Sequence, residues 1–544
     1  MLTRLHGGHV VDPVNGVDQV GDLYLEDGRI VAPPEGRSPD ADYDVSGHVV
    51  MAGAIDIHSH IAGGNVNSAR LLLPEMHRSI RARLDGTPLS TAKWSTFETG
   101  RLYAQMGFTT VVEPAVAPHH ALHAHMELGD VPIIDKGALT VLGNDDFLLR
   151  ALRAGESETA IADYVAQTVE ATGTLGLKCI NPGGAEAFKQ NMRSFGLDEI
   201  VPFYGVTSRQ IFQSLQRATG RVGIPHPLHL HMNNLGVAGN IETALETIDA
   251  ADGLPMHLAH VQFYAYGLEG KNAFSSAGAR LAAKINANKN ISVDVGQVMF
   301  GDTVTISSDV LRQFNSLSGA IPKKGVIFDG DANGGGVVPY AYRISNYYNA
   351  IQWAAGLELF LLIEDPMQVF FTTDHPNGGP FTTYPDLFAL LMSAELRAQW
   401  MERLPADVLE MTTLPSIKRE YSLYEIATMS RAGPARLYGF EDRGRLDDGA
   451  IADVAVYKQQ TDKAGMFRNA ALVFKDGELV VRDGAVTRYT KGKTLRIRPG
   501  YDRAIEKRLD AYYDELYGLP RSAFDVPEAA LAGKSVFAEV ACRN

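Results

Sequence analysis

Cysteine is nearly absent, with only Cys179 and Cys542 in 544 residues. Two thiols cannot make a disulfide framework, and they fall short of the four thiolates that an iron–sulfur cluster usually takes. No apolar run reaches the roughly 18 residues of a membrane-spanning helix. The opening stretch MLTRLHGGHVVDP lacks the apolar segment of a secretion signal. A cytoplasmic protein without a membrane partner is expected. Positive charge is in deficit: 50 Lys and Arg stand against 64 Asp and Glu, a net charge of −14. That balance leaves no basic footprint for nucleic acid and no polybasic membrane patch. The apolar fraction of 45% and the charged fraction of 21% are those of a globular protein, and the length asks for two or more domains.

The two ends share a texture. Residues 1–51 hold short β-prone pieces, Asp22–Glu26 and Arg29–Ala32 among them. They are separated by the turn dipeptides Gly7-Gly8, Asp12-Pro13, Asn15-Gly16 and Asp27-Gly28. Residues 433–500 repeat the pattern with Asp453–Tyr457, Leu472–Lys475, Glu478–Arg482 and Ala485–Tyr489. Neither end suffices for a sandwich alone, so a composite β-sandwich from both is expected. Between them, residues 52–432 alternate strands with helices. The strands expected are Ala54–His58, Thr109–Glu113, Ile133–Asp135, Gly176–Ile180, Leu228–His231, Met256–Ala259, Ile291–Val295 and Gln368–Thr373. Helices are expected over Ser95–Met106, Glu158–Thr172, Ser208–Thr219, Ile241–Ala250, Ala277–Ala287, Arg343–Ala355 and Tyr384–Met392. Eight strands with helices between them predict an α/β fold, a (β/α)8 TIM-like barrel rather than an open sheet. A helix over Ser422–Ala432 leads to Pro434, beyond which strand texture returns. Residues 301–340, with Gly334-Gly335-Gly336, read as a long loop that serves as a lid or a structural excursion. Residues 501–544 read as a helical tail in contact with another subunit.

The chemistry concentrates at strand ends, where a barrel gathers its active site. Alternation puts His58 and His60 of GAIDIHSHIAGG on one face, about 7 Å apart along the backbone. Gly63 and Gly64 then turn the chain away. Two imidazoles so placed can chelate a divalent metal. Lys178 sits inside an apolar strand, where an unpaired charge is costly. It either pairs with a carboxylate or reacts with carbon dioxide to give an anionic carbamate that bridges two metals. His229 and His231 share a face, and His231, nearer the strand end, is favoured as the ligand. His260 ends the sixth strand, with His257 expected on its opposite face in a structural role. Asp374 ends the eighth, and His375 is expected to point away. The ordered set suits two zinc ions about 3.5–4 Å apart. Asp374 is placed both to bind one of them and to carry a proton from the attacking water to the leaving nitrogen. His119, His120, His123 and His125 form a rival cluster, expected to be a helix start with solvent-facing or supporting histidines.

The blocks GAIDIHSHIAGGNVN, GLKCINPGG, HLHMNNLG, LAHVQFYAYG and TTDHPNGGPF resemble the A subunits of formylmethanofuran dehydrogenases and of bacterial formyltransferase/hydrolase complexes, within the amidohydrolase superfamily. The resemblance spans nearly the whole chain. It implies a two-zinc centre held by His58, His60, carboxylated Lys178, His231, His260 and Asp374. It also implies cleavage of the formamide bond of an N-formyl furan-type carrier to formate and free amine, beside a formyltransferase and other subunits. Asn233, Asn234, Gln262 and Asn377 lie just past ligand-bearing strands; each is a candidate for orienting the amide or for a turn. Three other readings remain: carrier synthesis in a tungsten or molybdenum dehydrogenase, a different cyclic amidohydrolase, and a scaffold without catalysis.

Overall fold

The computed structural model of the chain describes residues 1–72, 95–190, 192, 194–306, 328–330 and 335–543. Eight parallel strands follow one another in chain order. They are Ala54–Asp56, Phe108–Val116, Asp135–Leu142, Leu177–Ile180, Leu228–His231, Met256–Leu258, Ile291–Asp294 and Val369–Phe370. Each pairs with the next. The ring closes through the His60 N–H, which donates to the His375 carbonyl at 2.9 Å, and the Thr372 hydroxyl, which donates to the His58 carbonyl at 2.5 Å. The result is the expected TIM-like barrel.

Local signals set the helices between these strands. Helix Glu158–Thr172 starts where the Ser157 hydroxyl accepts the Ala160 N–H, and it stops at Gly173 with φ +64°. Helix Ser208–Val222 opens with a reciprocal Thr207–Gln210 capping box and stops at left-handed Gly223. Among the described residues no helix is long and apolar enough to cross a membrane.

Several elements differ from expectation. The third strand runs over Asp135–Leu142, not Ile133–Asp135. Lys136 and Gly137 disguise its start, and both are held by packing. The Lys136 ammonium donates to the carbonyls of Val131 and Lys491 at 3.0 and 2.8 Å. A side chain at position 137 would meet Leu175 at 2.3 Å. Pro434 does not end its helix. A π turn over Thr428–Ala432 absorbs the missing N–H, and the helix resumes over Gly433–Tyr438 with Pro434 in its first turn. Residues 301–340 are not simply a loop: Gly301–Ile306, Phe328–Gly330 and Gly335–Tyr342 pair as an antiparallel sheet. Gly334 lies outside the described residues. The tail, expected to contact another subunit, also packs on its own barrel. Helix Ala504–Leu516 buries Ile505 and Leu509, and Phe537–Glu539 pairs with Thr494–Arg496, which in turn meets the third barrel strand.

Strands from the two chain ends form one nine-stranded sheet. The ends meet where His48–Ala52 runs antiparallel to Val454–Lys458. The sheet curls until the Ile30 N–H reaches the Ala450 carbonyl at 2.8 Å. It encloses a small core of its own, including Leu5, Leu25, Val50, Val454 and Phe474. This β domain is joined to the foot of the barrel by a buried ionic cluster. Asp135 pairs with Arg443 at 2.7 Å and with Lys475 at 3.3 Å, while Lys475 also holds Asp453 at 3.1 Å. Burial alone would push the Asp135 carboxyl up, but Lys475 and Arg443 outweigh it and hold it well below the usual carboxylate range. Burial pushes Asp453 up instead, against the pull of Lys475.

Removing one partner of such a buried pair costs about 3–5 kcal/mol. Asp135→Asn is therefore expected to lower unfolding free energy by that order near neutral pH, measured by denaturant titration. Because the folded Asp135 pKa is depressed, its contribution is fully present above its unfolded value of about 4. The difference between parent and variant should shrink as pH falls below that value.

Candidate metal centre

Four of the ligand-bearing strands lead into a residue with left-handed backbone. Asn181 has φ +44°, Asn234 +64°, His260 +37° and Asp374 +51°. Non-glycine residues rarely adopt this region, and it recurs at functional sites. Here it breaks the strand alternation and turns the chain over the barrel mouth. That explains a departure at the sixth strand. The strand stops at Leu258, so His257 and His260 are not on opposite faces of one extended segment. His257 points into the barrel and bonds Asp294, while left-handed His260 faces the cluster above it. Gly296, with φ +67°, leaves room for this turn: a side chain there would meet the His260 Cβ at 2.4 Å.

The six residues singled out from the sequence converge in one buried volume. Asp374 Oδ1 lies 3.0 Å from His58 Nε2 and 3.4 Å from His60 Nε2. These three residues form one group able to hold a cation. The His260 ring lies 5.4 Å from that of His58 and 4.5 Å from that of His231. Lys178 is buried within the fields of Asp294, Asp374 and Glu113. Burial pushes its ammonium down to about 8 against those carboxylates, which makes the free amine accessible near neutrality. His229 lies on the other edge of the His58 ring, 3.1 Å from Nδ1.

Two carboxylates escaped the sequence reading. Glu113 accepts from His60 Nδ1 at 2.9 Å and from the Ile61 and Ala62 N–H groups at 2.7 and 3.0 Å. Asp294 lies 2.9 Å from His58 Nδ1. Each holds the far nitrogen of one histidine, so both Nε2 atoms face Asp374. Histidines that bind metals are commonly oriented in this way. The signal was present: TTVVEP and ISVDVG each end an apolar strand in a carboxylate, as costly to bury as the lysine that did attract notice. Asp56 supports the same strand end from below, accepting from the Tyr103 and Tyr384 hydroxyls at 2.7 and 2.6 Å.

The remaining candidates divide by what their side chains already do. Asn234 is committed to its turn, bonding the Phe195 N–H at 2.8 Å and the Thr243 hydroxyl at 3.1 Å. Asn377 donates to Asp374 Oδ2 at 2.9 Å. Asn233 and Gln262 donate to Ser208 and Tyr266, and each keeps a buried carbonyl oxygen without a partner. Of the rival cluster, His119, His120 and His123 are exposed, while His125 is buried with Nε2 2.8 Å from the Thr172 carbonyl. His375 contributes its carbonyl to barrel closure.

The fit to metal is good. Lys178 Nζ and His260 Nδ1 are buried without a hydrogen-bond partner, and the assembled donors are imidazoles, a carboxylate and an amine.

A family model described as "Amidohydrolase family" matches residues 43–488. The chain belongs to the amidohydrolase family. Among its relatives in that family, the A subunit of the formyltransferase/hydrolase complex Fhc of Methylorubrum extorquens is 50% identical over 100% of both chains. Protein FwdA of Methanocaldococcus jannaschii is 37% identical, over 91% of this chain and 90% of that protein. A crystal structure of the FhcABCD complex from Methylorubrum extorquens with methylofuran contains a chain that matches this one at a TM-score of 0.95. The identity there is 50%, again over 100% of both chains.

In this site burial would lower the His60 pKa, but Glu113 and Asp374 raise it to about 9. A cation that takes His60 Nε2 must displace that proton. Metal uptake is therefore expected to release protons, with apparent affinity falling up to about tenfold per pH unit below about 9. Titrating zinc into weakly buffered protein at several pH values measures both.

Proposed function

We propose that this chain hydrolyses the formamide bond of an N-formyl furan-type carrier, formylmethylofuran in chemistry, to formate and the free amine. It would do so as the A subunit of a formyltransferase/hydrolase complex, beside a formyltransferase and further chains. The observation that carries the reading is the meeting of His58, His60 and Asp374 at one point, in a chain that follows the Fhc relative from end to end. That relative's crystal structure with methylofuran supports the carrier and the partners.

On this reading His58, His60, His231, His260, Asp374 and a carboxylated Lys178 would hold two zinc ions. His231, facing His260, is the ligand of the fifth strand, and His229 is not. The pair, when bound, acidifies water and polarises a carbonyl. The chain's own residues do the rest. Asp374, held by the Asn377 amide at 2.9 Å, accepts a proton from the water that attacks the formyl carbon. It passes that proton to nitrogen as the C–N bond breaks, leaving formate and amine. The unpartnered Asn233 and Gln262 carbonyl oxygens are suited to accept the amide N–H.

Asp374→Asn should lower formate release from the formylated carrier by about 10²–10⁴-fold, the usual contribution of a positioned acid–base group, with the chain still folded. Formate is measured enzymatically and metal by elemental analysis. Unchanged release with metal retained would remove Asp374 from this role, and turnover of hydantoins or dihydropyrimidines instead would redirect the substrate class.

A further inference from the structure

Below the ligand layer the barrel interior holds a second group of polar residues that the proposed reaction does not use: His226, His229, His257 and Asp294, all fully buried. Asp294 is their centre. Its Oδ2 lies 2.9 Å from His58 Nδ1, 3.1 Å from His257 Nε2 and 3.3 Å from His229 Nε2. Its Oδ1 accepts the His260 backbone N–H at 2.5 Å. One carboxylate thus touches the rings of His58, His229 and His257 and the backbone of a second candidate ligand, His260.

The hydrogen positions follow from counting donors. An ionised carboxylate only accepts, while a neutral imidazole donates at one nitrogen and accepts at the other. The ring nitrogens hydrogen-bonded to Asp294, His58 Nδ1 and His257 Nε2, must therefore carry their protons. His257 then has a bare Nδ1, which accepts from the Ser292 hydroxyl at 2.9 Å. His229 Nε2 lies 3.1 Å from the protonated His58 Nδ1, and its Nδ1 lies 3.0 Å from His226 Nε2. His58 has a bare Nε2, the atom that lies 3.0 Å from Asp374. The His58 and His257 tautomers are thus dictated by the same oxygen.

We infer that Asp294 is a positioning residue. It sets the Nδ1–H tautomer of His58 and so aims the Nε2 lone pair at the metal site, while the same oxygen holds His229 as scaffold rather than ligand. The inference rests on the reading of His58 as a ligand. It adds where the specificity of that ligand's orientation comes from, and why the first histidine of HLH lies outside the site. Both ring nitrogens of His229 are engaged, Nε2 beside His58 and Asp294 and Nδ1 with His226, which leaves neither free for a cation.

The test compares full-length wild type, Asp294→Asn, Asp294→Glu and His229→Gln, each stripped of metal. Each is then titrated with zinc against a competing chelator and with cobalt(II), read by visible absorption. Asp294→Asn is expected to bind about 10–100-fold more weakly, the usual cost of losing a residue that orients a metal ligand. Asp294→Glu should recover part of the loss, and His229→Gln should keep the wild-type metal stoichiometry and cobalt spectrum. Wild-type affinity in Asp294→Asn overturns the inference. So does a lost equivalent of metal or a changed cobalt spectrum in His229→Gln, which also decides the matter if Asp294→Asn does not fold. Wild type that takes up neither metal removes the metal centre itself, and the inference with it.

Discussion

The constraint on which this structure depends is the neutralisation of charge inside a closed barrel. Asp56, Glu113, Asp294, Asp374 and Lys178 are all buried with the histidines of the site. An isolated ion in that setting would cost several kcal/mol after relaxation. The structure meets the cost by giving most of the carboxylates more than one donor and most of the histidines a carboxylate. Tyrosine hydroxyls and backbone N–H groups supply what the histidines do not. In such a network geometry is strongly specified, because a displaced ring leaves more than one group unsatisfied. Lys178 Nζ and His260 Nδ1 are among the buried atoms left without a hydrogen-bond partner, and both lie where the donor set converges.

The same logic operates at the foot of the barrel. Asp135, Arg443, Lys475 and Asp453 come from the barrel, the connecting segment and the β domain. Their pairing fixes how the two units sit together, since any rotation would strand a buried charge. Two polar clusters, one at each end of the strands, thus share one principle: the upper one makes a site, the lower one a joint.

Much of this was legible in the sequence. Strand ends with His-x-His, Lys, His, His and Asp marked the barrel and the residues that converge at its mouth, because alternation and strand-end placement are local properties. The joining of the two chain ends followed from their shared turn chemistry. What escaped was of another kind. The third strand was hidden by Lys136 and Gly137, whose tolerance depends on the carbonyls of Val131 and Lys491 and on the packing of Leu175. The continuation past Pro434 depends on a π turn that no propensity signals. The face of His257, though not its supporting role, was misjudged because His260 leaves the extended conformation. Asp294 and Glu113 were visible as buried strand carboxylates, but their partners come from strands distant in sequence, and only the assembled barrel shows which rings they hold.

The barrel seam carries a consequence for how the protein comes into being. The Thr372 hydroxyl that closes the ring reaches the His58 carbonyl across 314 residues, and the His375 carbonyl takes the His60 N–H beside it. The backbone of the histidine pair is therefore one lip of the seam, and the segment that bears Asp374 is the other. During synthesis the pair leaves the ribosome long before its closing partner exists. The cluster of His58, His60 and Asp374 cannot form until the last strand is in place, so a cation taken up there would be taken up late in maturation and would then act as a clasp across the seam.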